Sequence, residues 1–246
     1  MADTDTLIDL EQICFSFPDG KKVLDNLDLS LRKKERLGLV GPNGSGKTTL
    51  FRLIMGLLKS TAGKLTIFGR KMAHKKDFIP VRKKIGLLFQ DADDQLFSPT
   101  VLDDIAFGPL NQGKSPAEAK EIAREILSSL ELKGFEGRIT YKLSGGEKKL
   151  VSFATVLAMK PEILLLDEPT TGLDAETTKK IIRVLKSIDV SSIIISHDMD
   201  FIQQTTGTVY GMMKGRIIPD MGEYAHTHVH THDHGSVPHV HSDISE

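Results

Sequence analysis

Residues 41–48 decide the fold: Gly41-Pro42-Asn43-Gly44-Ser45-Gly46-Lys47-Thr48 has the spacing G-x-x-x-x-G-K-[ST]. An apolar run, Arg36–Val40, precedes this stretch and predicts a buried strand, and a helical pattern follows from about Lys47 to Leu58. Glycines in such a loop let successive backbone N–H groups turn toward phosphate oxygens, and the helix N-terminus adds a positive dipole. The flanking strand and helix argue against the alternative, an accidental glycine-rich turn.

The loop predicts a strand–loop–helix unit that binds a nucleotide. Lys47 is placed to reach the β- and γ-phosphates, and Thr48 is placed to bind Mg²⁺. The predicted nucleotide-binding residues of this unit are Gly41, Pro42, Asn43, Gly44, Ser45, Gly46, Lys47, Thr48 and Thr49.

A second apolar strand ends in two carboxylates, in the segment Ile163-Leu164-Leu165-Leu166-Asp167-Glu168. Successive residues of a strand point to opposite sides, so one carboxylate can hold Mg²⁺ while the other faces the attacking water. A strand capped by two solvated acids is the alternative. The phosphate-binding loop in the same chain favours the catalytic interpretation.

The remaining pattern predicts an α/β fold. Alternation at Ile13, Phe15 and Phe17, a Pro-Asp-Gly turn and a second alternating run from Val23 to Leu31 predict an antiparallel β edge. Apolar strands at 163–166 and 192–196, separated by a helical stretch at 175–188, predict a mainly parallel core sheet. Between about 91 and 160 the strand signal vanishes, and a capping box at Ser115 opens a helix. We therefore predict a nucleotide-binding domain at 1–220 with an inserted helical subdomain.

Composition excludes several classes of protein. The 246 residues are 39% hydrophobic and 26% charged with a net charge of -1, which is typical of a folded domain without a global field for nucleic acid or acidic lipid. No apolar run approaches the roughly 18 residues of a membrane span. The acidic N-terminus lacks a signal peptide, so we expect a cytoplasmic protein. The single Cys14 cannot form an internal disulfide.

From about Leu7 to Pro219 the chain resembles the ATP-binding cassette (ABC) ATPases, because further motifs occur in that family's order. Residues 143–147, Leu-Ser-Gly-Gly-Glu, resemble the family signature, although many relatives have Gln in place of Glu147. Gln90 matches the Q-loop, residues 169–174 resemble the D-loop region, and His197 matches the switch histidine.

The resemblance implies a head-to-tail dimer that holds two ATP molecules between its subunits. It implies that Glu168, His197 and Gln90 act in catalysis, and that Thr48, Gln90 and Asp167 bind Mg²⁺. Phe17 stands where the family places an aromatic that stacks on adenine, with a core phenylalanine as the alternative. The signature residues that would contact the partner's ATP are Ser144, Gly145 and Gly146. Both half-site motif sets are intact, which permits a homodimer.

A closer resemblance lies in residues 90–101, Gln-Asp-Ala-Asp-Asp-Gln-Leu-Phe-Ser-Pro-Thr-Val, and continues through 103–109. This run is similar to ATPases of the energy-coupling factor (ECF) importers, including the cobalt and nickel type. In that group the segment helps to form a groove for helices of a membrane coupling protein. The alternative is that the apolar side chains of this segment, Leu96, Phe97, Val101 and Phe107, simply pack the helical subdomain.

The ECF resemblance implies an ATP-hydrolysing importer subunit on the cytoplasmic face of the cell membrane, energising uptake of Ni²⁺ or Co²⁺. Its expected partners are a second ABC subunit, a transmembrane coupling protein and a substrate-binding membrane component. An ECF-type vitamin importer and a soluble ABC ATPase that acts on ribosomes, DNA or iron–sulfur assembly are the alternatives. The sequence shows no tandem cassette, coiled coil or basic patch in favour of the last.

Residues 221–246 form a His-rich tail that holds seven of the nine histidines. Imidazole suits Ni, Co, Cu and Zn, and several rings within a few residues could chelate one ion. A solvated tail without function is the alternative. The candidate ligands are His226, His228, His230, His232, His234, His239 and His241.

Overall fold

The computed structural model describes residues 5–218. Within them the chain forms ten strands: β1 (Thr6–Ser16), β2 (Lys22–Arg32), β3 (Arg36–Val40), β4 (Ala62–Ile67), β5 (Arg70–Lys71), β6 (Ile85–Leu88), β7 (Ile163–Asp167), β8 (Ser191–Ile195), β9 (Thr208–Met213) and β10 (Arg216–Ile218). The same residues form seven α-helices: α1 (Lys47–Ile54), α2 (Phe78–Arg82), α3 (Val101–Asn111), α4 (Pro116–Ser129), α5 (Gly145–Ala158), α6 (Ala175–Ser187) and α7 (Met199–Thr205).

The central sheet has the strand order β10-β9-β3-β8-β7-β6. Its strands are parallel except for β10, which pairs antiparallel with β9. The predicted α/β fold with a mainly parallel sheet is confirmed. Because β3, β7 and β8 lie inside the sheet with helices on both faces, they appear in the sequence as continuous apolar runs.

A second sheet contains the predicted antiparallel strands. Its order is β2-β1-β4-β5, with all pairs antiparallel. The sequence predicted only β1 and β2 of this sheet. It missed β4, whose partner β1 lies some fifty residues earlier in the chain.

Two apolar cores lie on opposite faces of the central sheet. Along β7, Ile163 and Leu165 pack with α1 and the antiparallel sheet, whereas Leu164 and Leu166 pack with the helices α3 to α6. Because successive side chains of β7 point to opposite faces of the sheet, this one strand contributes to both cores.

One predicted helix boundary needs correction. Helix α1 ends at Ile54 rather than at Leu58, and Gly56 follows with φ 64°, a conformation that ends a helix readily. Helix α4 begins as predicted, with the Ser115 capping box and Pro116 at its first position. Helices α3, α4 and α5 all lie between β6 and β7, where the sequence predicted the helical subdomain.

Among residues 5–218 no helix is both long and apolar enough to cross a membrane.

Candidate active site

The phosphate-binding loop joins β3 to α1. Gly46, directly before the helix, has φ 110°, and a Cβ there would lie 2.8 Å from a methyl group of Leu24. A side chain at this position would therefore be strained and crowded. The loop thus holds its backbone N–H groups at the N-terminus of α1, where anions bind.

Lys47 is buried inside the loop. Its Nζ donates hydrogen bonds to the carbonyl oxygens of Gly41 (2.7 Å) and Pro42 (3.1 Å). Burial lowers the pKa of Lys47, and the charges of Glu168 and Asp167 oppose that shift. A buried ammonium whose direct partners are neutral carbonyls is short of anionic partners, and a nucleotide phosphate would supply them.

Asp167 is buried at the end of β7. Burial raises the pKa of its carboxyl, while the Thr48 hydroxyl and the charges of Lys149 and Lys47 lower it. The structure therefore brings together two of the predicted Mg²⁺ ligands, Asp167 and Thr48. A desolvated carboxylate beside a hydroxyl fits a hard cation that prefers oxygen ligands.

Glu168 lies just beyond the strand, with φ 49°. Strand alternation therefore does not set the direction of the Glu168 side chain, and both carboxylates line the cavity described below.

A small polar network surrounds the Glu168 carboxylate. Oε2 accepts hydrogen bonds from the Thr171 hydroxyl (3.3 Å) and the His197 backbone N–H (3.4 Å). Oε1 is buried, lies 3.3 Å from Nε2 of His197, and receives no hydrogen bond of good geometry. The same Nε2 lies 3.2 Å from Oδ1 of Asn43. A buried carboxylate oxygen without a donor can accept a proton from water at this position.

These groups surround one cavity of about 500 Å³. Residues 43–49 of the phosphate-binding loop line it, with both carboxylates, Gln90 and His197, whereas the predicted Gly41 and Pro42 instead accept hydrogen bonds from Lys47. Phe17 lies at its rim, half-exposed, with its ring edge-on to Phe15 at 5.0 Å between centroids. The described residues that line the cavity are Phe17, Lys21, Val23, Asn43, Gly44, Ser45, Gly46, Lys47, Thr48, Thr49, Gln90, Asp167, Glu168, Thr171, Ile195 and His197.

Comparison with known proteins identifies the family of this site. A family model described as "ABC transporter" matches residues 24–171, which is more than half of the chain. The energy-coupling factor transporter ATP-binding protein EcfA of Methanothermobacter thermautotrophicus is 44% identical over 218 residues, covering 87% of this chain and 70% of the relative. The chain belongs to the ABC transporter family.

Two solved structures agree with this assignment. One is cbiO1 from Clostridium perfringens, described as part of the ABC transporter complex cbiONQ. It has 31% identity and a TM-score of 0.78, and the match covers 90% of this chain and 92% of that one. The other is the dimeric structure of a bacterial ABC transporter cassette, with 27% identity, a TM-score of 0.79 and coverage of 86% and 96%. The chain is an ATPase of the ABC type, which binds ATP with Mg²⁺.

The ABC signature begins helix α5. Ser144 is the N-cap: its Oγ accepts from the Glu147 N–H (3.3 Å), and the Glu147 carboxylate accepts from the Ser144 N–H (2.8 Å). Glu147 also pairs with Arg138 at 2.7 Å. Glu147 therefore completes a capping box, and its negative charge suits the positive end of the helix.

The signature does not line the ATP cavity of its own subunit. Ser144 and Gly146 are absent from the described lining, and Gly145 lines a neighbouring cavity of about 580 Å³ together with Gln90 and Asp167. Within one subunit, therefore, the predicted catalytic groups share one cavity, and none of the three signature residues lines it.

Sequence reasoning missed part of the site. Thr171 hydrogen-bonds Glu168, and Lys21 and Val23 line the cavity beside Phe17. Thr171 lies three residues after Glu168 in the D-loop region, and this short spacing is the sequence feature that could have indicated the contact.

The seven tail histidines lie outside the described residues. Within 5–218 no group of three or more His, Cys, Asp or Glu side chains could hold a metal ion.

Proposed function

We propose that this ABC ATPase energises an ECF-type importer, in which two copies of the chain bind a membrane coupling protein. The EcfA relative and the cbiO1 structure support this proposal by their similarity. The observation that carries it is an exposed aromatic pair, Phe97 and Phe107, on the segment that directly follows Gln90.

The aromatic pair stands on the surface without a core role. The rings are edge-on with centroids 4.8 Å apart, and Phe97 is 66% and Phe107 45% exposed. Leu110, which lies on α3 with Phe107, is also exposed. By contrast, Val101 is fully buried and Leu96 packs against the core, so the packing alternative holds for those two side chains. A cluster of exposed apolar side chains is typical of a binding surface.

A buried carboxylate holds this surface in place. Oδ1 of Asp104 accepts from the backbone N–H groups of Phe97 (3.1 Å) and Ser98 (2.8 Å), and Oδ2 accepts from the Thr140 hydroxyl (3.0 Å). Because hydrogen bonds to a charged group are strong, the backbone of Phe97 is fixed before any partner binds. Such preorganisation lowers the entropic cost of docking. An apolar helix of a membrane protein fits this surface.

Membrane co-purification tests the docking surface. Phe97→Glu should fold and bind ATP but lose its membrane partner, because a charge would enter the apolar contact. Leu57→Glu, at an exposed leucine outside residues 91–110, is the matched control and should retain the partner. Retained co-purification by a folded Phe97→Glu protein would contradict the proposal. A retained partner that is a ribosome or nucleic acid would favour the soluble ABC alternative.

The ATP site is proposed to be composite. Lys47, Thr48, Asp167, Glu168, Gln90 and His197 would act on the ATP of their own subunit, with Phe17 against the adenine. Ser144, Gly145 and Gly146 would contact the ATP of the second subunit. The separation of the signature from its own cavity supports this arrangement. The dimeric structure of the similar bacterial cassette supports it independently.

The transported substrate is proposed to be Ni²⁺ or Co²⁺, with the His-rich tail as a metal-binding appendage. Neutral imidazole is the ligand, so metal affinity should fall as pH drops from about 7 to 5. A chain truncated near Gly222 should lose Ni²⁺ binding in calorimetry and keep its basal ATPase activity within a few-fold. Unchanged metal stoichiometry would contradict the ligand assignment, and transport assays with Ni²⁺, Co²⁺ and vitamins would identify the cargo.

A further inference from the structure

Two lysines are buried in the described part of the chain, and the ATP site uses only Lys47. The other is Lys149 on α5, which is 3% exposed. Its Nζ donates to the carbonyl oxygens of Gln90 (2.7 Å) and Phe89 (3.2 Å). Removing this donor would leave two part-buried carbonyl oxygens without it, so Lys149 fixes the backbone of residues 89 and 90 to α5.

A second side chain ties the same loop to the same helix. Gln95 Oε1 accepts from the Phe89 N–H (3.2 Å), which closes residues 89–95 into a compact unit, the Gln90 loop. Gln95 Nε2 donates to the Ser152 carbonyl (2.9 Å) and to the Thr155 hydroxyl (2.7 Å). The amide oxygen of Gln95 thus bonds within the loop, and its amide nitrogen bonds to α5.

These contacts connect two places that would meet different ATP molecules. Gln90 lines the ATP cavity of its own subunit, whereas Ser144 begins α5 and would meet the ATP of the second subunit. Lys149 follows Ser144 by five residues, or roughly 7 Å along the helix axis. A helix transmits displacement over such a distance as a rigid element.

We propose that Lys149 and Gln95 are positioning residues that clamp the Gln90 loop to the signature helix, so that ATP in one cavity sets the position of the signature offered to the other subunit. This inference rests on the composite site of the proposed function. Burial lowers the pKa of Lys149, and the charges of Asp167, Glu168 and Asp91 oppose that shift.

The neighbouring Lys148 provides a matched control. Its Nζ pairs with Asp93 at 2.6 Å, so it also joins α5 to the Gln90 loop. However, the Asp93 carboxylate is 69% exposed, and exposed ion pairs contribute little. If the clamp depends on buried hydrogen bonds, replacing Lys149 should weaken it and replacing Lys148 should not.

The experiment separates ATP binding from ATP-driven dimerisation in the full-length chain. In a Glu168→Gln background, which blocks hydrolysis, the ATP concentration that half-converts monomer to dimer is measured by light scattering. Lys149→Met should raise it about tenfold or more, because two hydrogen bonds from a charged donor are lost. Lys149→Arg should restore it to within about threefold, because a guanidinium can donate to both carbonyls. Lys148→Met should leave it unchanged.

Binding of a fluorescent ATP analogue to the monomer should stay within about twofold in all these variants, since none of these side chains lines the ATP cavity. Gln95→Leu provides the same test at a half-buried position if Lys149→Met does not fold. Unchanged half-dimerisation in the folded Lys149→Met or Gln95→Leu chain would overturn the clamp, as would an equal shift in Lys148→Met. Failure of the parent Glu168→Gln chain to dimerise would instead contradict the composite site.

Discussion

Replacing Glu168 with glutamine removes one negative charge from the ATP cavity and changes little else. The amide oxygen of glutamine can keep both hydrogen bonds that Oε2 accepts, from the Thr171 hydroxyl and the His197 N–H. The left-handed φ of 49° is as accessible to glutamine as to glutamate. We therefore expect the variant to fold, with a melting temperature within a few degrees of the parent chain.

The expected loss is in the rate of hydrolysis. A positioned general base contributes about 10²- to 10⁴-fold, which corresponds to about 3 to 5 kcal/mol of activation free energy. The variant should therefore lose at least about a hundredfold in kcat. ATP affinity should not weaken, because a negative charge leaves a cavity that receives an anionic triphosphate.

Steady-state phosphate release with the membrane partner present measures kcat, and a fluorescent ATP analogue measures affinity. Glu162→Gln is the control, since that carboxylate pairs with Lys84 at the surface and lies outside the cavity. Its kcat should match the parent chain. A kcat for Glu168→Gln within about threefold of the parent would refute the catalytic role of this carboxylate.

Three further perturbations test phosphate binding by Lys47, the buried carboxyl of Asp167 and the packing around Gly63. Lys47→Ala should weaken ATP binding by about tenfold to a hundredfold through lost charge-assisted hydrogen bonds, and an unchanged titration would remove Lys47 from phosphate binding. Because burial raises the pKa of Asp167, carbon NMR should find this carboxyl titrating above 3.8. The neutral form is favoured in the folded chain, so its contribution to fold stability is lost as pH rises through that pKa. Mg²⁺ needs the ionised form, so Mg²⁺ affinity is lost as pH falls through the same pKa. Titration at or below 3.8 would contradict this assignment. Gly63→Ala should destabilise the fold by at least about 1 kcal/mol in urea, because φ is 90° and the new Cβ would lie 2.4 Å from the Gln12 carbonyl oxygen. A stability equal to that of the parent chain would contradict that packing.

Much of the catalytic centre could be predicted because its residues lie on contiguous segments. The loop at 41–48 and the strand that ends in Asp167 carry both their chemistry and their secondary structure in a few adjacent residues. Strand β4 could not be predicted in this way, since only Leu65 and Ile67 of its residues are buried and its partner is distant in the chain.

The residues that sequence reasoning missed owe their roles to tertiary packing. Lys148 and Lys149 are identical neighbours in the sequence, yet one forms a surface ion pair and the other is buried against two carbonyls. Asp104 and Gln95 lie among several similar polar residues, and only the fold selects them to hold the segment after Gln90.

If ATP completes its site between two copies of this chain, as proposed, the mass of the hydrolysis-deficient protein in solution doubles when ATP is bound. Sedimentation of Glu168→Gln with saturating Mg²⁺ and ATP should give twice the mass of one chain, and the mass of one chain without nucleotide. Adding Ser144→Arg to the same chain should leave nucleotide binding intact and keep the mass at one chain, because the signature could no longer reach the partner's ATP. A single-chain mass for Glu168→Gln at saturating ATP, or a stable dimer in the Ser144→Arg double variant, would contradict the composite ATP site.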